Sequence, residues 1–120
     1  MKVVSIRGAT TVDANEEIDI INSTKELLLE IEKRNNLIKE NVISILFSAT
    51  KDLNTAYPAK AARLLGYTQC GLMCFSEMDV DGSLNRCIRL MILYQDFLEQ
   101  TDVKHVYLKG AKILRPDLNK

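Results

Sequence analysis

The run CIRLMILY, residues 87–94, is the segment that most restricts the folds that this chain can adopt. It is almost unbroken in apolar residues and directly follows the turn-like stretch EMDVDGS. Helical spacing can be fitted to it, but a short apolar run bounded by a turn is typical of a buried strand. We therefore predict a strand on which Cys87, Arg89, Met91 and Leu93 share one face.

Four further strands are predicted from apolar segments that are bounded by polar or glycine-containing turns. They lie at Val3–Ala9, Val42–Thr50, Gly71–Ser76 and His105–Leu114, the last being a strand or a hairpin broken at Gly110. The second of these is apolar on both faces, which is typical of a central strand. On the last, His105, Tyr107 and Lys109 are expected to share a face.

Two helices are predicted between the strands. The first follows the polar turn at 10–15 and runs to about Arg34, with Asp13 as N-cap and Glu16 as its capping-box partner. The second is short, begins at Pro58 and stops at Gly66, because proline suits the first helical position and glycine the position after the end. Residues 95–102 are expected to form a loop or a short helix.

These elements predict a single α+β domain spanning residues 1–120, with a mixed five-stranded sheet, one long helix and one short helix. One long helix cannot cover both faces of so apolar a sheet. Burying the bare face against other copies of the chain is the simplest remedy. An oligomer is therefore expected.

Composition argues against nucleic-acid-binding, membrane-spanning and secreted proteins. The chain has 120 residues with 16 basic and 16 acidic side chains, so there is no overall positive field to attract nucleic acid. No stretch approaches about 20 continuous apolar residues, which is the length that a membrane-spanning helix needs. The N-terminus lacks the pattern of a signal peptide. A cytoplasmic protein without nucleic-acid or membrane partners is expected.

The cysteines and the single histidine do not predict a metal or a nucleophile. Three cysteines, Cys70, Cys74 and Cys87, are an odd number for a disulfide framework. Cys70 and Cys87 better fit small buried residues. A zinc site needs about four clustered ligands, and His105 lies far along the chain. Nothing in the spacing places His105 beside Cys74 as a catalytic base.

The stretch DVDG, residues 79–82, looks like the start of a calcium loop. Such a loop needs glycine at its sixth position and glutamate at its twelfth. Those positions hold Leu84 and Leu90. A tight turn at Asp81–Gly82 is the better interpretation.

Arginines within apolar strands are the remaining polar signal. Arg7 and Arg89 both lie in predicted strands, and a buried salt bridge or a strand-end position explains either one alone. Together with Glu77 in a turn and Arg63 on the short helix, they favour an anion site, because the planar guanidinium bonds both oxygens of a carboxylate. The residues alone therefore predict a small carboxylate ligand in a pocket that subunits can share.

Six segments in this order resemble one family, the monofunctional chorismate mutases of the trimeric mixed α/β barrel class. They are IRGATTV at 6–12, SATKDLNTAYPAKAAR at 48–63, CFSEMDV at 74–80, CIRLM at 87–91, HVYL at 105–108 and LRPDL at 114–118. The resemblance implies conversion of chorismate to prephenate in phenylalanine and tyrosine biosynthesis. It implies a homotrimer forming a pseudo α/β barrel, with active sites between subunits and no metal or organic cofactor.

The resemblance also implies roles for individual residues. Arg89 would face the breaking ether oxygen, Glu77 would accept a hydrogen bond from the ring hydroxyl, and Arg7 would pair with a carboxylate and support the ether end. Tyr107 would bond a carboxylate through its hydroxyl. Cys74 would line the pocket near the ring hydroxyl and face Arg89, and Met73 would contact ligand through its backbone. The residues expected to line or close the pocket are Tyr57, Ala59, Lys60, Arg63, Leu114 and Arg115, with Arg63 pairing with the second carboxylate.

Two departures from the family pattern are visible. Tyr57 stands where phenylalanine is expected, and the segment RLLGYTQCG, residues 63–71, is one residue shorter than usual. Residues 115–120 are expected to act as a lid. The alternatives are a non-catalytic carboxylate-binding trimer on the same scaffold and a small imine deaminase, whose motifs are absent from this sequence.

Overall fold

One mixed sheet organises the molecule. The computed structural model describes residues 1–118, and in them five strands pair in the order β3-β2-β4-β1-β5. Their bounds are β1 Lys2–Thr11, β2 Val42–Ala49, β3 Gly71–Ser76, β4 Cys87–Asp96 and β5 Val106–Tyr107. β4 is antiparallel to β1 and β2, whereas β3 and β5 are parallel to their neighbours. The predicted fold class, and the strand at residues 87–94, are confirmed.

Two α-helices accompany the sheet in the described residues, α1 Glu17–Asn35 and α2 Ala59–Leu64. Short 3-10 turns lie at Lys39–Asn41, Gln100–Asp102, Lys109–Leu114 and Pro116–Leu118. None of the helices in residues 1–118 is long and apolar enough to cross a membrane.

The predicted capping box of α1 is wrong. The N-cap is Glu16, and within the described residues its side chain makes no capping hydrogen bond. The polar turn instead holds the loop before α2, because Asn15 donates to Asn54 Oδ1 at 2.8 Å and accepts from the Asn54 N–H at 3.0 Å. The helix ends as predicted, with Asn36 in the left-handed region at φ 48°.

The predicted last strand is correct only at its start. β5 pairs with β1 at Val106 and Tyr107 alone. Lys109 then takes a positive φ of 51°, which turns the chain into the 3-10 segment Lys109–Leu114. Lys109 therefore does not share a strand face with Tyr107, and Ala111 on this segment is fully buried.

The core lies between α1 and one face of the sheet. Leu27, Leu28 and Ile31 of α1 are fully buried against strand residues such as Ile6 and Ile92. Gly8 makes this contact possible: a Cβ there would lie 3.0 Å from both Ile31 Cδ1 and the Val106 carbonyl oxygen. The glycine thus brings α1 and β5 close to the strand that carries Arg7.

The opposite side of the sheet, which we call the open face, remains partly uncovered in the chain. Its large apolar residues include Val3, Met73 and Phe75, which are 58%, 57% and 50% exposed. By strand alternation its members are Val3, Ser5, Arg7, Ala9, Ser44, Leu46, Ser48, Met73, Phe75, Cys87, Arg89, Met91 and Leu93. The prediction of a bare apolar face is confirmed for the chain by itself.

The start of β4 is held by a clasp around Arg86. This residue has a positive φ of 46°, and its N–H donates to the Asp52 carboxylate at 2.9 and 3.1 Å. Its Nε donates to the Val12 carbonyl at 3.0 Å. Burial raises the pKa of Asp52, but hydrogen bonds from the Thr50 hydroxyl and the Arg86 N–H outweigh it, so the pKa is lowered. The clasp fixes the strand three residues before Arg89.

Candidate active site

A single row of residues crosses the open face. The pairing registers place Phe75 beside Ser48, Ser48 beside Arg89, Arg89 beside Ala9, and Ala9 beside Tyr107. Facing residues on neighbouring strands have Cβ atoms about 4.5–5.5 Å apart. Ala9, between the arginine and the tyrosine, is fully buried and packs with Tyr107 and Ala111.

A cavity of about 380 Å³ lies over this row. It brings together Arg7, Glu77, Arg89 and Tyr107, with Ser48, Leu46, Phe75 and Met91 among its walls. Two cationic side chains, one carboxylate and one phenol thus share a largely apolar cleft. Such a cleft suits a small ligand that carries both carboxylates and a hydroxyl.

Glu77 and Arg89 are partners without forming a tight ion pair. Glu77 Oε2 lies 3.5 Å from Arg89 Nε, and the two side chains are 24% and 48% exposed. The Ser48 hydroxyl donates to the same oxygen at 2.7 Å. The backbone of Glu77 is fixed as well, because its N–H donates to the Ala49 carbonyl at 3.0 Å. Arg89 therefore stays accessible to a ligand.

A smaller cavity of about 130 Å³ adjoins the first on the other side of Glu77 and Arg89. Leu114 lines it, as do Cys87 and Leu84. Arg115 lies just beyond and contacts Asp117 through two nitrogens at 3.0 and 3.2 Å. The 3-10 segment that follows β5 thus forms one end of the site. Of the predicted lid, residues 119–120 lie outside the described part of the chain.

A second group of predicted residues lies in a different place. A groove of about 720 Å³ is lined by Tyr57, Lys60, Arg63 and Cys74. Tyr57 is 72% exposed, and Lys60 Nζ lies 3.3 Å from Glu17 Oε1. Ala59, by contrast, is buried at the start of α2. The predicted residues therefore lie in two separate places on one chain.

The expectation that Cys74 faces Arg89 is wrong within one chain. Cys74 pairs with Phe47 in the parallel register of β2 and β3, and it packs on the core side of the sheet. Its strand neighbours Met73 and Phe75 project to the open face instead. Strand alternation thus separates Cys74 from Glu77, which is three residues later.

Cys70 and Cys87 are poorly suited to act as nucleophiles. Burial raises the pKa of Cys87 and of Cys70, which keeps both thiols protonated. Within residues 1–118, no group of three or more His, Cys, Asp or Glu side chains is arranged to hold a metal ion.

Comparison with known proteins identifies the family. The family model described as "Chorismate mutase type I" matches residues 3–118. The chain belongs to this family. It is 44% identical to chorismate mutase AroH of Bacillus subtilis (strain 168), over 99% of this chain and 94% of that protein. It is 41% identical to chorismate mutase AroH of Thermus thermophilus, over 97% of this chain and 96% of that protein.

A solved structure agrees with this assignment. Chorismate mutase from Clostridium thermocellum superposes with a TM-score of 0.89 at 49% identity, over 91% of this chain and 97% of that one. The predicted family is confirmed, and with it the prediction that the chain is an isomerase of the chorismate mutase class.

The segment at residues 63–71 of this chorismate mutase is anchored to the scaffold. Gly66 takes a positive φ of 97°, which suits a residue without a side chain. The next residue, Tyr67, is buried and donates through its hydroxyl to Glu32 Oε2 at 2.6 Å. Burial, together with this carboxylate, raises the pKa of Tyr67 and keeps the phenol protonated.

Sequence reasoning missed Ser48 as a member of the site. It is the first residue of the segment SATKDLNTAYPAKAAR and lies in a strand that is apolar apart from Ser44 and Ser48 themselves. A hydroxyl on the same strand face as Leu46 was the available signal. Only the structure shows that its partner is Glu77.

His105 supports Arg7 from the edge of the site. Its Nδ1 accepts the Arg7 backbone N–H at 2.9 Å. Burial, and then the positive charges of Arg7 and Arg115, lower the pKa of His105 below its ordinary value of 6.5. The imidazole is therefore neutral in the folded chain at neutral pH and can act as an acceptor.

We expect His105→Asn to reduce the loss of stability in acid. The unfolded chain binds the histidine proton at a higher pH than the folded chain does. The free energy of unfolding therefore falls as pH drops through 6.5 toward the lowered folded pKa. Asparagine places an acceptor oxygen near the position of Nδ1 but does not titrate. Urea unfolding between pH 5 and 8 measures the difference, and the sequence holds a single histidine.

His105→Gln is the control, because glutamine does not titrate either but carries its amide oxygen one bond farther from the backbone than Nδ1, out of register with the Arg7 N–H. It should be destabilised across the whole pH range. If the free energy of unfolding of wild type and of His105→Asn fell equally between pH 8 and pH 5, this account of His105 would be contradicted.

Proposed function

We propose that this chorismate mutase converts chorismate to prephenate by holding the substrate in a reactive conformation and stabilising charge at the breaking ether bond. The observation that carries the proposal is the convergence of Arg7, Glu77, Arg89 and Tyr107 on one cavity of the open face. The family assignment supplies the reaction.

The chemistry fits a site without an acid, base or nucleophile. In this intramolecular Claisen rearrangement the ether C–O bond breaks as a C–C bond forms, and no proton moves. A protein can accelerate it only by restricting the substrate to its compact conformer and by electrostatic stabilisation. Fixed hydrogen-bond donors and charges are what the cavity offers.

Arg89 is proposed to face the ether oxygen. Negative charge builds on this oxygen as the bond breaks, so a guanidinium held nearby stabilises the transition state more than the ground state. Support comes from its position at the centre of the row on β4 and from its 48% exposure, which leaves it open to a ligand. Glu77 is proposed to accept a hydrogen bond from the substrate ring hydroxyl and so to orient the ring.

Arg7 and Tyr107 are proposed to bind a substrate carboxylate. They flank the cavity on adjoining strands, and both are donors. Leu114 and Arg115 would close this end of the site, since the 3-10 segment that ends at Leu114 borders the adjoining cavity.

A homotrimer is proposed, with each site shared by two subunits. Two observations support it: the open face exposes apolar residues, and one chain divides the expected ligands between the cavity and the groove. Tyr57, Lys60, Arg63 and Cys74 would come from the neighbouring subunit, with Arg63 taking the second carboxylate. Met73 and Ala59 would lie at the same boundary. We further propose that residues 1–120 act as one cytoplasmic domain.

The test is to incubate the purified protein with chorismate and to follow the loss of its ultraviolet absorbance. We expect turnover far above the uncatalysed rate, with prephenate as the product. Heat-denatured protein is the control. A rate equal to that of the control, with chorismate binding seen by calorimetry, would instead support the non-catalytic binding trimer.

A further inference from the structure

We propose that Ser48 is a positioning residue that holds the Glu77 carboxylate away from Arg89, so that both groups remain available to the substrate. This inference deepens the proposed function and rests on the role given there to Glu77. It begins from the 2.7 Å hydrogen bond that the Ser48 hydroxyl donates to Glu77 Oε2.

The hydrogen bond determines how the carboxylate is shared. Ser48 and Arg89 both approach the same oxygen, Oε2, at 2.7 and 3.5 Å. Among residues 1–118, no hydrogen bond is formed to the other oxygen, Oε1. This oxygen is therefore the one that can accept the substrate hydroxyl.

The distance to Arg89 is longer than a free pair of this kind would adopt. Charge-assisted hydrogen bonds between a guanidinium and a carboxylate close to about 2.7–2.9 Å, whereas Arg89 Nε and Glu77 Oε2 are 3.5 Å apart. Ser48 is the residue facing Arg89 on the neighbouring strand, so its hydroxyl lies beside the pair. It provides Oε2 with a shorter and better partner than the arginine.

β2 restrains the Glu77 carboxylate from a backbone that is already fixed. The Glu77 backbone N–H is bonded to Ala49, the residue next to Ser48, so the end of β2 holds both the main chain and the side chain of the glutamate. Without the hydroxyl, only the side-chain torsions of Glu77 would be released. The carboxylate could then rotate onto Arg89 and neutralise the charge that the ether oxygen requires.

We expect Ser48→Ala to lower kcat by about ten- to a hundredfold, in line with the loss of one hydrogen bond to a charged group. KM should change less than threefold, because the carboxylate-binding residues are untouched. Ser48→Thr keeps a hydroxyl and should recover kcat to within about threefold of wild type. Steady-state kinetics on chorismate measure all three.

Ser44→Ala is the matched control. Ser44 lies on the same face of β2, four residues earlier, and is half-buried as Ser48 is. A general effect of removing a hydroxyl from this strand would appear in both alanine variants. Only Ser48→Ala should reduce kcat, while the melting temperatures of the two should agree.

A double-mutant cycle separates action through Glu77 from a direct effect. In a Glu77→Ala background, Ser48→Ala should lower kcat by less than twofold. The same loss in both backgrounds would overturn the proposal, as would a kcat for Ser48→Ala equal to that of Ser44→Ala. If Glu77→Ala alone had the wild-type kcat, the role of Glu77 in the proposed function would fail first.

Discussion

Replacing Arg89 with alanine is expected to lower kcat by at least roughly 10²–10³-fold, because one preorganised donor in a site of this kind contributes about 3–4 kcal/mol to the barrier. The loss should fall on kcat more than on KM, since the charge on the ether oxygen develops only in the transition state. Steady-state kinetics on chorismate measure this split.

The fold should be little affected by the change. The Arg89 side chain is 48% exposed, and its Nε lies 3.5 Å from Glu77 Oε2. Removing it therefore does not break a tight, buried ion pair. Arg34→Ala is the control, because Arg34 pairs with Glu30 on the surface of α1. A near-normal kcat for Arg89→Ala would show that the electrostatic role is wrong. Arg89→Lys should restore only part of the activity, since a point charge lacks the planar fork.

The second large effect is expected from Leu93→Glu, a charge placed on the open face four residues from Arg89. If this face is buried between subunits, an unpaired carboxylate there costs several kcal/mol. The trimer should then dissociate at micromolar concentration. Activity should fall by roughly two orders of magnitude, because the groove residues would no longer complete the cavity of the neighbouring chain.

Sedimentation velocity and the chorismate assay test this on the same preparation. Leu29→Glu is the control: Leu29 is 49% exposed on α1, and glutamate suits a helix. It should remain trimeric and active. A monomeric wild-type protein with full activity would contradict the shared-site proposal, and a trimeric Leu93→Glu would place the interface elsewhere.

The parts of the fold that depend on local pattern could be predicted from the sequence. The short apolar run at 87–94 is a strand because of its length and its bounding turn, and alternation then places Arg89 and Met91 on one face. The bare face followed from the mismatch between a highly apolar sheet and one long helix. Arg7 and Arg89 stood out because charges are costly within apolar strands.

The parts that depend on a distant partner could not be predicted in the same way. Asp13 has the sequence signature of a cap, but Asn15 in the same turn bonds a loop 39 residues away. Cys74 is close to Glu77 in sequence, yet strand alternation places it on the core side. Ser48 has no local signature for binding a carboxylate 29 residues later. The substrate and the expectation of a trimer came from family resemblance.

The position of β4 in the sheet also has a consequence for the order of assembly. It lies between β1 and β2, yet it is the fourth strand along the chain. During synthesis, the first 86 residues can form the β2–β3 pair but give β1 no sheet partner. The sheet closes only when Cys87–Asp96 has emerged, and this segment carries Arg89. The strand that joins β1 to β2 in the sheet is therefore the same strand that supplies the charge proposed for catalysis.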